Sequence, residues 1–115
     1  MSGRREAAPA RRVAYDVLRA VSGSDAYANL VLPGLLRERR LSTRDAALAT
    51  ELAYGALRAQ GQLDVVLQAC VDRPLDQVDG PVLDVLRLGA YQLLRTRIPT
   101  RLEVVAGRNG SRLAG

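Results

Sequence analysis

Residues 82–99, with the sequence VLDVLRLGAYQLLRTRIP, constrain the fold more strongly than any other part of the chain. Apolar and small residues recur there at helical spacing, which predicts a helix that begins near Pro81 and ends before Pro99. We expect one face of this helix to point inward, made of Val82, Val85, Leu86, Gly89, Ala90 and Leu93. Because Gly89 and Ala90 have almost no side chain, another helix should approach closely there. The segment therefore predicts a central helix of an all-α bundle.

The same periodicity predicts four shorter helices earlier in the chain, over about residues 9–21, 29–40, 42–60 and 62–72. The first should bury the face made of Val13, Ala14, Val17, Leu18 and Val21. The second contains Pro33, which a helix tolerates in its first turn, where backbone N–H groups have no helical partner. Pro33 is therefore compatible with that helix if it lies in the first turn.

Capping and small residues add detail to the third and fourth helices. Ser42, followed by Asp45, is a typical N-cap for the third helix. Its inward face should contain Leu48, Ala49, Leu52, Ala53 and Ala56. Gly55 in mid-helix costs about 1 kcal/mol relative to alanine, which favours close packing against a neighbouring helix. In the fourth helix Cys70 shares the spacing of Leu63 and Leu67, so we expect a buried small hydrophobe and not a reactive thiol.

Composition limits the chemistry that the chain can perform. The 115 residues fit one domain, and the chain has no His, one Cys, no Phe and no Trp. The absence of His excludes Ser-His and Cys-His nucleophile pairs and most metal sites, and a single Cys excludes an internal disulfide. We find no glycine-rich phosphate loop, and expect no catalytic residue, metal or cofactor in this chain. No segment approaches transmembrane length, so we expect a cytoplasmic protein without membrane contact.

The charge distribution is compatible with binding to RNA, with binding to an acidic protein surface, or with solubility alone. The net charge is +5, and all 17 basic residues are arginines, whose planar guanidinium suits phosphate and stacks on bases. Six residues form the candidate RNA-binding set: Arg4, Arg5, Arg11, Arg12, Tyr15 and Arg19. Arginines can follow a phosphate backbone while a tyrosine stacks an unpaired base. The alternative interpretation is a charged, solvated helix start.

Five segments, in this order, resemble NusB-like domains: RRVAYDVLRAV, AYANLVLPGLL, STRDAALATELAYGALR, QLDVVLQACVDRPLDQVD and VLDVLRLGAYQLLRTRIP. The most specific pieces are ELAYGALR at 51–58, LD at 63–64, and LGAYQLL at 88–94 followed by RIP at 97–99. Two types of protein carry such domains, the transcription antitermination factor NusB and the Sun/RsmB-type ribosomal RNA cytosine-C5 methyltransferases. The pieces YGALR, RPL and GAYQLL look more like the N-terminal domain of the methyltransferases.

The resemblance implies an all-α, NusB-like bundle of five to six helices that binds RNA through its basic N-terminal region. Here that region contains Arg4, Arg5, Arg11 and Arg12. The partner would be RNA, expected to be ribosomal, together with a methyltransferase domain or a ribosomal protein. Catalysis and S-adenosylmethionine binding would belong to a further domain of a full-length parent, so this chain by itself is not expected to be an enzyme.

The C-terminal part departs from the family pattern. After Pro99 such domains continue with an acidic, apolar helix and a closing helix, whereas this chain reads TRLEVVAGRNGSRLAG. We therefore expect the closing helices to be missing, which would leave the apolar face of residues 82–94 partly uncovered and favour self-association. The expected organisation is a flexible basic arm over 1–9, a NusB-like RNA-binding domain over 10–99, and an atypical, disordered tail over 100–115.

Two other functions are compatible with the residues. The first is a stand-alone antitermination factor that binds single-stranded RNA together with a ribosomal protein. The second is a helical protein-interaction domain without RNA function, in which the arginines only keep the chain soluble.

Overall fold

The protein is described here by a computed structural model, which covers the backbone of residues 3–97 and the side chains of residues 8–95. The helices are α1 (Gly3–Ser24), α2 (Ala28–Arg39), α3 (Thr43–Arg58), α4 (Gln60–Cys70) and α5 (Gly80–Arg97), with a 3-10 turn at Leu75–Gln77. The described part of the chain is helical without a strand, which confirms the predicted all-α bundle. The predicted tail over 100–115 and the missing closing helices concern residues outside this range.

Helix α1 holds the centre of the bundle and packs against α2, α3 and α5. Its predicted inward face is confirmed, since Val13, Ala14 and Val17 have no solvent exposure and Leu18 has almost none. Small and branched apolar residues of the other helices complete the core, namely Leu32, Ala49, Leu52, Ala53, Ala56, Leu63 and Leu88. Helix α3 packs against all four other helices, so α1 and α3 together form the centre of the bundle, and α5 packs against α1, α3 and α4.

Two prolines lie deeper inside helices than predicted. Helix α1 begins at Gly3, so the backbone of residues 3–9 is helical where a flexible arm was expected, and Pro9 lies inside the helix. Pro33 likewise lies inside α2, beyond its first turn. Each proline removes one backbone donor from its helix, but both residues are exposed, so the carbonyl left without a partner can bind water.

Helix α3 forms as predicted. The Ser42 hydroxyl accepts a hydrogen bond from the backbone N–H of Asp45 at 3.1 Å, which is the expected N-cap. The inward face is confirmed by the burial of Ala49, Leu52, Ala53 and Ala56. A single residue, Ala59, separates α3 from α4; its backbone N–H donates to the Gly55 carbonyl and its own carbonyl accepts from Leu63, both at 2.9 Å.

The prediction for Cys70 was wrong. Leu63 and Leu67 of the same helix are buried, but Cys70 is exposed. Cys70 lies in the last turn of α4, where an open groove separates it from Val82 and Leu86 on α5. Leu63 and Leu67 are buried as predicted, but none of the described helices covers the last turn, where Cys70 lies.

The predicted orientation of α5 was also wrong. The expected inward residues Val82, Val85 and Leu93 are 48%, 54% and 58% exposed. Among the described residues, no atom lies within 4 Å of where a side chain at Gly89 would begin, so none of α1–α4 approaches closely there. The buried positions are Leu83, Asp84 and Leu88 on the opposite side of the helix. Apolar periodicity favours the side of Val82, Val85 and Leu93, but the buried side is the one that carries the charged pair Asp84 and Arg87, whose need for partners the periodicity of apolar residues does not register.

A buried ion network selects the side of α5 that turns inward. Asp84 is only 2% exposed and accepts hydrogen bonds from Arg19 at 2.9 Å, Ser22 at 2.6 Å and Arg87 at 3.3 Å. Arg87 also binds both carboxylate oxygens of Asp64 on α4, at 2.8 and 3.0 Å. The hydrogen bonds to Asp64 raise the pKa of the Arg87 guanidinium above its usual value. The network joins α1, α4 and α5 through charged groups that satisfy one another.

Tyr91 joins α5 to α3. A side chain at Gly55 would overlap the ring and hydroxyl of Tyr91, which confirms the close packing that Gly55 predicted. The Tyr91 hydroxyl donates to Glu51 at 2.9 Å, and Arg95 donates to the same carboxylate at 2.9 Å. The Tyr91 hydrogen bond and, to a smaller extent, Arg95 lower the pKa of Glu51. Burial and the neighbouring Glu51 carboxylate raise the pKa of Tyr91.

None of the helices in the described range is both long and apolar enough to cross a membrane.

Replacing Asp84 by alanine should destabilise the fold strongly. The substitution leaves Arg19 and Arg87 without their shared buried counter-ion, and breaking such a pair costs about 3 kcal/mol or more. Asp72→Ala, at an exposed carboxylate in the loop after α4, is the matched control and should stay within about 0.5 kcal/mol of the parent. Urea unfolding followed by circular dichroism measures both; equal stability of the two variants would contradict a structural role for Asp84.

Gly55→Ala should destabilise the protein by about 1–2 kcal/mol, because overpacking against Tyr91 exceeds the gain in helix propensity. The same substitution in a Tyr91→Ala background should instead stabilise by up to about 1 kcal/mol, since the obstructing ring is gone. Thermal unfolding of the four proteins gives the coupling between the two positions. Additive effects would show that Gly55 and Tyr91 do not compete for space.

The stability difference between the parent and Glu51→Gln should depend on pH. The folded pKa of Glu51 is lowered, so its contribution is complete above the ordinary value near 4.5 and is lost as the pH falls through the lowered pKa. The parent should therefore be more stable than Glu51→Gln at neutral pH, and the two should converge in acid. Thermal unfolding across that pH range measures the difference, and a constant difference would contradict the interaction.

Candidate nucleic-acid interface

Three of the predicted RNA-binding residues come together on the surface of α1. Arg11, Arg12 and Tyr15 line a groove between α1 and α5. Arg4 and Arg5 lie near the start of the same helix, but their side chains are outside the described residues. The predicted basic residues thus all lie on the continuous helix α1, whereas the sequence predicted a flexible arm over residues 1–9.

Arg12 and Tyr15 form a cation–aromatic pair at the rim of this groove. The Arg12 guanidinium lies 5.7 Å from the centre of the Tyr15 ring, within the range of a cation–π contact. The Arg12 side chain is 69% exposed and makes a 3.4 Å ion pair with Asp16 one turn later. An exposed pair of this kind contributes little, so Arg12 can exchange Asp16 for a phosphate at small cost.

Arg19 has a different environment from the other predicted site residues. Its guanidinium binds the buried Asp84 carboxylate at 2.9 Å, and its side chain is 30% exposed. A phosphate would have to compete with a buried counter-ion, which is far less favourable than displacing an exposed one. The structure therefore gives Arg19 a role in holding α1 against α5 and does not bring it into the groove.

The groove has a basic rim and an apolar floor. It has a volume of about 510 Å³, and α5 supplies the wall opposite the arginines through Val85, Leu88, Gly89 and Gln92. Gln92 donates its side-chain amide to the Leu88 carbonyl at 3.2 Å. The α1 side presents cations and an aromatic ring, so the groove combines the groups that bind phosphate with a surface that can receive a planar apolar group.

Sequence reasoning missed the α5 wall because it placed Val85 and Gly89 inside the core. The available signal was the charged pair Asp84 and Arg87 within an otherwise apolar helix. Charged groups three residues apart on one face demand partners wherever that face is buried, and α1 and α4 supply them through Arg19 and Asp64. This need for partners would have predicted that Asp84 and Arg87 face inward and that Gly89, on the opposite side of α5, faces outward.

Metal ligands are not clustered in the described part of the chain, where no group of three or more His, Cys, Asp and Glu side chains could hold an ion.

Comparison with known proteins identifies the family. The NusB family model matches residues 8–105, which include all five helices except the start of α1. The chain is 56% identical over 101 residues to a putative methyltransferase of Mycobacterium tuberculosis, covering 88% of this chain and 22% of that protein. No solved structure matches the chain.

Two relatives with lower sequence identity also have the names of methyltransferases. The chain is 33% identical over 84 residues to a probable ribosomal RNA small subunit methyltransferase B of Synechocystis, covering 73% of this chain and 19% of the relative. A Bacillus subtilis protein of the same name is 33% identical over 95 residues, covering 82% and 21%. The chain thus spans about a fifth of the length of these curated relatives. Its matched length, helical architecture and relatives agree, and the chain belongs to the NusB family.

Proposed function

We propose that this chain is an RNA-binding module, the non-catalytic N-terminal part of an S-adenosylmethionine-dependent ribosomal RNA cytosine-C5 methyltransferase. The observation that carries the proposal is the pairing of the exposed Arg12 with Tyr15, beside Arg11, at the rim of the groove between α1 and α5. These side chains offer phosphate ligands and a stacking surface on one rigid helix. Such a surface suits single-stranded RNA, whose bases are available for stacking.

The relatives support the choice of a methyltransferase over a stand-alone antitermination factor. Those named above are methyltransferases, and each is matched over about a fifth of its own length. In the proposed parent protein, the methyl donor and the reacting cytosine would bind in the part that this chain does not match. The NusB-like module would bind ribosomal RNA and orient it toward that catalytic part.

The charge of the chain determines how such binding should respond to salt. Each phosphate neutralised by an arginine releases counterions, which lowers the affinity as salt rises, with a slope of about 0.7 per contact for a single strand. The net charge of +5 and the arginines along α1 favour a polyanion before any base is contacted. A protein-interaction domain without RNA function would show no such slope.

Replacing both Arg11 and Arg12 by alanine should weaken RNA binding by about tenfold or more, because two charge-assisted phosphate contacts are lost. The salt slope should decrease by about 1.4. The measurement is fluorescence anisotropy of a labelled single-stranded ribosomal RNA segment at several salt concentrations, with circular dichroism to verify folding.

The matched control removes two arginines elsewhere on the surface. Arg37→Ala/Arg73→Ala changes the net charge equally, at exposed positions on α2 and in the loop after α4. It should reduce affinity only slightly. If the two double variants bind equally well, the assignment to α1 is wrong, and if the folded parent fails to bind RNA at low salt, the proposed function is wrong.

A further inference from the structure

We propose that the groove between α1 and α5 receives one unpaired nucleobase of the bound RNA, and that Gly89 keeps the space for it. This inference rests on the proposed function and makes it more specific. Arg11 and Arg12 would hold the phosphates on either side of the inserted base. The groove would then contribute base stacking, and with it preference for single-stranded over paired RNA.

The space at Gly89 is the first observation that supports this proposal. Among the described residues, a Cβ at Gly89 would meet no atom within 4 Å, whereas one at Gly55 in the same bundle would overlap Tyr91. Packing therefore explains the glycine at position 55. Among the described residues no contact explains Gly89, and the same holds for Gly34 and Gly61, but of these three only Gly89 lines the groove between α1 and α5. Glycine inside a helix is unfavourable relative to most residues, so its presence at the floor of a groove fits a ligand that comes close to the backbone.

The size and the lining of the groove suit a base. A volume of about 510 Å³ lies in the range of small-ligand sites. Val85 and Leu88 provide apolar surface for the face of a ring, and Tyr15 lies across the groove on α1. Gln92 brings a side-chain amide to the same wall, a group that hydrogen-bonds to base edges.

The charges around the groove favour RNA over an apolar protein segment. Two arginines stand on the rim, and the lining residues include no carboxylate. Arg12 is mostly exposed and lies over the Tyr15 ring. A cation that would bind a phosphate is therefore next to an aromatic ring on which the neighbouring base would stack. Arg12 already pairs with Asp16 at 3.4 Å, but phosphates would add charged acceptors for its exposed guanidinium, which an apolar helix cannot supply.

The test fills the groove without removing any group that could contact RNA. Gly89→Leu in the 115-residue chain adds a side chain at the floor of the groove, and it should raise or maintain the melting temperature because leucine is the better helix former. Gly34→Leu is the control, since Gly34 is also helical with no neighbour within 4 Å, but lies on α2 away from the groove. With a labelled short single-stranded RNA, Gly89→Leu should reduce affinity by about tenfold and leave the salt slope unchanged. Gly34→Leu should bind like the parent.

An abasic scan of the RNA makes the test specific to one base. Each nucleotide in turn is replaced by an abasic ribose, which keeps every phosphate. The parent chain should lose affinity by about tenfold at one position, and Gly89→Leu should show no further loss there, because the base no longer enters the groove. The scan with the parent chain alone is the fallback if Gly89→Leu does not fold.

The possible results separate this inference from the proposed function. Parent-like binding by Gly89→Leu, or equal effects at every abasic position, overturns the base pocket while RNA binding itself stands. A parent chain that self-associates, and that Gly89→Leu makes monomeric without changing RNA affinity, assigns the groove to a second copy and also overturns the pocket. If the folded parent does not bind RNA, both proposals fail.

Discussion

The buried carboxylate of Asp84 is the interaction on which the arrangement of the other helices depends. It lies on α5, is almost completely buried, and accepts hydrogen bonds from α1 and from Arg87 of its own helix. A buried charge without partners is very costly, so α5 can pack only in an orientation that brings Asp84 to Arg19 and Ser22. The ion pair between Arg87 and Asp64 then holds α4 against the same part of α5.

This orientation has a consequence at the surface of the protein. Once Asp84 faces inward, the opposite side of α5 faces outward with Val85, Gly89 and Leu93. That side forms one wall of the groove whose other wall carries Arg11 and Arg12. A residue that stabilises the bundle therefore also sets the geometry of the candidate RNA site. The arginines of α1 differ in environment, since Arg19 pairs with the buried Asp84 and Arg12 remains mostly exposed.

The exposed apolar side of α5 also bears on how the chain would work in a longer protein. Val82, Val85 and Leu93 are large apolar residues at or near half exposure, more than a solvated helix needs. From the sequence we expected self-association through this face. The proposed base-binding groove uses part of the same face to bind RNA. Both place an interaction surface on α5, the helix that contacts α1, α3 and α4.

The sequence by itself determined the helices, the α1 and α3 core faces, the Ser42 cap and the family. These depend on local spacing and capping chemistry, which act within a few residues. Tertiary structure alone decided the orientation of α5, the exposure of Cys70, and the separation of Arg19 from the groove. Apolar periodicity in α5 favours one of two orientations, the one with Val82, Val85 and Leu93 inward, and the fold adopts the other. Only the pairing of Asp84 with Arg19, 65 residues away in the chain, distinguishes between them.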